Sequence, residues 1–94
     1  MQFLVIAHDG TDEGALARRL AVREEHLATA RAHRESGVIK IGGALLNDAG
    51  NMVGSAMVME ADSEEKLREI LQSDPYTRGN AWQRFEIWPF RSAF

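Results

Sequence analysis

The chain is 94 residues long, enough for one domain with a modest core. Its 45% hydrophobic and 27% charged residues are those of an ordinary soluble protein, and a net charge of −3 without a basic run excludes a nucleic-acid footprint. There is no cysteine, which excludes disulfides and thiolate chemistry, and no apolar stretch approaches the ~20 residues of a membrane span.

The first residues, MQFLVIAHDG, have no basic n-region and only a short apolar run. They read as a strand over residues 2–8 rather than a secretion signal, and the cytoplasm is the expected location. Nearly every position of that strand is apolar, which predicts a central strand covered on both faces. DGTDEG follows as a loop, with Thr11 or Asp12 available to cap a helix. Residues 14–36 then read as one long helix. Leu16, Leu20, Arg23, Leu27 and Ala30 form a stripe at helical spacing, while Arg18, Glu25 and Thr29 face the solvent. Gly37 ends the helix by accepting a left-handed conformation.

Residues 38–46, VIKIGGALL, read as a second strand, with Gly42 and Gly43 marking a bulge or a close backbone approach. NDAGN is a turn, and residues 52–60 return as a third strand in the clearest hairpin of the sequence. Asp62 or Ser63 can cap a second helix, whose buried face is Leu67, Ile70 and Leu71. That helix stops before Pro75, because the residue preceding a proline disfavours the α region. DPYTRGN is a loop, residues 81–88 form a last strand, and Pro89 ends it.

The order is β-α-β-β-α-β, the ferredoxin-like pattern of an α+β domain spanning residues 1–94. It places two helices on one face of a four-stranded antiparallel sheet. The other face is also apolar. Alternation sends Phe85 and Ile87 to one side and Trp82 and Trp88 to the other, beside Arg84 and Glu86. In the third strand Val53, Met57 and Met59 alternate with Met52, Ala56 and Val58. Large exposed apolar patches are rare on soluble monomers. A homodimer through the open sheet face, a dimeric α+β barrel, is therefore expected; a monomer with a ligand on that face is the alternative.

Among residues able to do chemistry, Arg23 falls within the buried stripe, where a guanidinium needs a carboxylate. Asp74 and Asp9 are its candidate partners; alternatively its stem covers the core edge and its head stays in water. His26 stands one turn along. An imidazole titrates near ~6.5, and an adjacent carboxylate makes it a general base. Asp74, held at the rigid corner before Pro75, suits that task. His8 closes the first strand and is a candidate for the same pocket, whereas His33 receives no role. Ser55, beside Gly54, lacks the strand-to-helix elbow of a hydrolase nucleophile and counts only as a supporting residue. The histidines and carboxylates form no metal motif, and no haem ligand stands out.

The R-x-x-H of the long helix (Arg23, His26), the hairpin GGALLNDAGNMVGSAMVMEA and the segment DPYTRGNAWQRFEIWPF together resemble the YCII-related (YciI-like) domain family. The resemblance runs from FLVIAHD to WPF. It implies a ferredoxin-like fold that pairs into a dimeric barrel, and a pocket around His26 and Asp74. A family relative acts as a dehydrochlorinase on a chlorinated hydroxyquinol, and the fold resembles muconolactone isomerase. Two functions are then expected to compete. One is a lyase or isomerase without cofactor or metal, in which His26 moves a proton on a small organic acid, lactone or hydroxylated ring. Asp74 orients it, and Arg23 holds Asp74 or an anionic substrate group. The other is a non-catalytic dimer binding a small ligand or a partner, with Arg23, His26 and Asp74 as a structural network.

Overall fold

The computed structural model describes residues 1–94. Eight elements follow in order: β1 (Gln2–Asp9), α1 (Ala15–Ala21), α2 (Arg23–Glu35), β2 (Ile39–Leu46), β3 (Met52–Glu60), α3 (Glu64–Ser73), α4 (Pro75–Arg78) and β4 (Trp82–Phe90). The strands form one antiparallel sheet in the order β2-β3-β1-β4. This is the ferredoxin-like arrangement, with the helices on one face. No helix is long and apolar enough to cross a membrane.

The core lies between sheet and helices. Phe3, Val5 and Ala7 of β1, Met57 and Met59 of β3, and Leu67 and Leu71 of α3 are buried there. The period of two in β1 sends Phe3, Val5, Ala7 and Asp9 inward, while Leu4, Ile6 and His8 turn to the bare face and stay partly exposed. So β1 is an interior strand, but this chain covers only one of its faces. Across the bare face the register aligns Ile41, Val58, Leu4 and Trp88 in one apolar row from edge to edge.

The long helix is two helices, not one. Val22 leaves the helical region (φ −119°, ψ 10°), and its N–H reaches back only to Arg19. A β-branched residue is a weak point in a helix, and here its methyls lie over Gly79, where an added Cβ would come within 3.1 Å. The buried stripe is also rotated by about one residue from the expected one. Ala15, Arg19 and His26 are buried; Leu20 is 53% exposed and Arg23 is exposed. A stripe drawn through the large apolar residues misses a face whose buried members are one small alanine and two polar residues held by carboxylates.

Other local expectations are corrected too. Asp12 does not cap α1 with its side chain; its carboxylate is held by Arg18 at 2.7 Å to each oxygen. Ser63 rather than Asp62 caps α3, accepting the Lys66 N–H at 3.1 Å. Residues 75–78 form a one-turn helix with Asp74 as N-cap and proline first, where its missing N–H costs nothing. β4 runs through Pro89, which is tolerated because the strand is an edge. A register shift at His8/Asp9 lets Trp82 face inward with Phe85, their rings 5.7 Å apart, so Trp82 is a core residue and not part of the bare face. Gly37 (φ 83°) follows α2 as expected. The β2–β3 turn is closed by Asn47, whose side chain accepts the N–H groups of Ala49 and Asn51.

Candidate active site

Asp74 sits where α3 ends and α4 begins. Its backbone is extended (φ −66°, ψ 141°), as the following proline requires. As N-cap, its Oδ1 accepts the Tyr76 N–H at 2.9 Å. The same oxygen lies 2.7 Å from Nδ1 of His26, in the first turn of α2. Both side chains are about nine-tenths buried. An ionised carboxylate only accepts, so Nδ1 is the donor, and in the neutral ring Nε2 is then the nitrogen with the lone pair. Nε2 has no partner within the protein, yet it is not among the sealed polar atoms. The ring is further fixed by stacking on Tyr76 (centroids 3.8 Å apart, planes 15° apart) and by the edge of Trp82 at 5.3 Å.

A second buried polar cluster lies beside the first. Arg19 of α1 donates through Nη1 to both oxygens of Asp9, at 3.0 and 3.1 Å, and through Nη2 to Ser55 Oγ at 3.0 Å. Its Nε–H is buried without an acceptor. Ser55 Oγ also accepts the Trp82 indole N–H at 3.2 Å. With both lone pairs engaged, the hydroxyl proton is left to donate. The Arg19 guanidinium lies 4.5 Å from the centre of the Tyr76 ring, a cation–π contact that ties the two clusters together. Burial holds the Tyr76 phenol above its ordinary pKa, against the opposing pull of Arg19 and Arg23, so it too stays a donor.

Both clusters reach a cleft of about 270 Å³ between α2 and β2, lined by His26, Tyr76, Ser55 and Arg19 on its polar side. Leu27, Ile39, Met52 and Met57 supply apolar wall. The gap exists because β2 presents Gly42 and Ala44 toward the helices, opposite Met57 and Ser55. Larger hollows on the surface, such as the one under Arg68 and Gln72, touch neither His26 nor Asp74.

The structure therefore brings together His26, Asp74, Asp9 and Ser55 of the residues singled out from sequence. Arg23 is exposed at the rim of the cleft and pairs with neither Asp74 nor Asp9; the buried arginine is Arg19. His8 points to the bare face instead, where Nε2 meets Glu86 at 2.7 Å. Strand alternation separates it from Asp9 next to it. Arg19, Tyr76 and Trp82 were missed. Arg19 was within reach, because it precedes His26 by seven residues, two helical turns, and so shares its face. No group of three or more His, Asp or Glu side chains is placed to hold a metal.

Fusaric acid biosynthesis protein 2 of Gibberella moniliformis is 32% identical over 97% of this chain and 93% of its own length. Protein YciI of Escherichia coli O6:H1 is 28% identical over the whole of both chains. Among solved structures, the 5-chloro-2-hydroxyhydroquinone dehydrochlorinase of Burkholderia phenoliruptrix AC1100, in complex with 2,5-dihydroxybenzoquinone, superposes with a TM-score of 0.82. The two share 26% identity over 97% of this chain and 94% of that one. The family description that matches residues 1–91 is the YCII-related domain, and the chain belongs to that family.

Proposed function

We propose that the protein is an enzyme that moves a proton on a small hydroxylated ring, lactone or organic acid, as a lyase or isomerase. One observation carries this reading: His26 is anchored through Nδ1 to a buried, capped carboxylate while Nε2 stays free beside a ligand-sized cleft. In the reaction Nε2 accepts a proton from a carbon or hydroxyl of the bound substrate. Asp74 holds the ring and stabilises the imidazolium that forms, and the ring returns the proton to a second atom or to a leaving group. Ser55 and Tyr76 donate to oxygens on which negative charge develops. General base catalysis supplies ~10²–10⁴-fold, enough for elimination or isomerisation next to a carbonyl. The structural likeness to a dehydrochlorinase that holds a dihydroxybenzoquinone supports ring eliminations as the reaction class to try first.

The test is proton exchange. A panel of hydroxylated quinols, lactones and small organic acids is incubated with the protein in deuterated buffer, and loss of carbon-bound protons is followed by NMR. Asp74→Asn is the informative variant, since asparagine caps a helix as well as aspartate does. The expected outcome is a folded protein whose exchange rate drops by ~10²-fold or more. An unchanged rate, or exchange in no compound, overturns the reading in favour of a binding module.

The proposal extends to a homodimer through the bare sheet face. The edge-to-edge row of Ile41, Val58, Leu4 and Trp88 supports it, with Ile41 66% and Trp88 58% exposed in the isolated chain. Sedimentation at micromolar concentration should return twice the mass of 10.5 kDa; a monomer would refute it.

A further inference from the structure

The cleft beside His26 has a one-sided charge. Four arginines line it, Arg19, Arg23, Arg31 and Arg34, and no aspartate or glutamate does. This happens in a chain whose net charge is −3. The sorting is sharpest on α2, which carries three arginines and three glutamates. Every one of its arginines lines the cleft; Glu24, Glu25 and Glu35 do not. Arg19 is neutralised by Asp9. Arg23, Arg31 and Arg34 form no ion pair; outside the cleft Arg18, Arg68 and Arg78 each find a carboxylate, and Arg84 and Arg91 do not.

Helix electrostatics do not account for this pattern. Arg34 suits the C-terminal turn of α2, but Arg23 is its first residue, where the macrodipole disfavours a cation. Arg31 and Arg34, three apart, are neighbours of like sign, which costs the helix a little stability. An anion in the cleft removes both penalties. Leu27, on α2 between Arg23 and Arg31, and Ile39 and Met57 of the sheet add apolar wall to the same cleft, so the anion has an apolar body. The volume of about 270 Å³ is near the lower end of small-molecule sites, which fits a single ring.

We infer that the cleft selects small organic anions, packing a ring-sized apolar body on that wall and holding a carboxylate or comparable group with the α2 arginines. The inference rests on this cleft being the ligand site of the dyad. The probe pair is benzoate and benzamide, equal in shape and different in charge, titrated calorimetrically into the protein at low salt. Benzoate should bind at least about tenfold more tightly, and the advantage should shrink as salt is raised. The triple variant R23Q/R31Q/R34Q, with good helix formers at exposed positions, should fold normally and lose the advantage. His26→Ala should keep it. Equal binding of the two probes, or an advantage that survives the triple variant, overturns the inference. So does a triple variant that leaves the benzoate advantage intact and dissolves a dimer, because the arginines would then serve a second copy. The outcomes separate cleanly from the proton-exchange test: anion preference with exchange that ignores Asp74→Asn defeats the enzyme reading alone, and the converse defeats this inference alone.

Discussion

His26–Asp74 and His8–Glu86 are both histidine–carboxylate pairs at 2.7 Å, on opposite faces of the same sheet. They are built differently. In the first pair both side chains are about 10% exposed, the carboxylate is pinned by a backbone N–H, the imidazole is stacked on an aromatic ring, and the free nitrogen meets a cleft. In the second the side chains are 32% and 42% exposed, and Glu86 has no other hydrogen bond holding it. A short distance makes an ion pair. Burial, a second anchor and an open side set the first pair apart and are the features on which the proposed proton transfer rests.

The largest expected difference between the pairs is in chemistry. Asp74→Asn should lower substrate proton exchange by ~10²–10⁴-fold, while the matched Glu86→Gln should leave it unchanged; equal losses would erase the distinction. Next in size is stability. Asp9→Ala strands the Arg19 guanidinium in the interior and should cost about 3–5 kcal/mol, seen as a Tm lowered by well over ~10 °C. Glu86→Gln should cost less than ~1 kcal/mol. A greater loss there, concentration-dependent, would mark the bare face as covered.

The smallest effect is a slope. Burial raises the folded-state pKa of Tyr76 above its ordinary 10.0. Above that pH the unfolded chain releases a phenolic proton that the folded chain keeps, so the tyrosine's stabilisation is complete below pH 10 and fades above it. Urea midpoints measured on either side of that pH should fall with rising pH in the native protein and fall less in Tyr76→Phe.

How much of this was readable beforehand follows from the kind of signal each residue leaves. The β2–β3 hairpin announces itself through alternation and NDAGN, and Asp74 through the proline after it. The rigid corner before Pro75 puts Asp74 forward as the partner of His26 and the resemblance strengthens the pairing; helical spacing alone says nothing of α3 reaching α2. Hydrophobic patterns count a buried, ion-paired cation as surface, which hides Arg19 and puts Arg23 in its place. Trp82 was assigned to the wrong face because one irregularity at His8/Asp9 reverses the parity of the strand beyond it. His8 stands beside the end of β1, but alternation turns it to the bare face, so its position along the strand does not bring it to the cleft.

The cleft owes its space to what β2 lacks at Gly42 and Ala44, while the polar groups of the proposed site stand on α2, β3 and α4. Under the proposed function, ligand size would be governed by one strand and reactivity by other elements. A single methyl or isopropyl added at position 44 would narrow the entrance without disturbing the histidine or its carboxylate. Such a division lets one scaffold change its diet by small steps on β2 and keep its chemistry throughout.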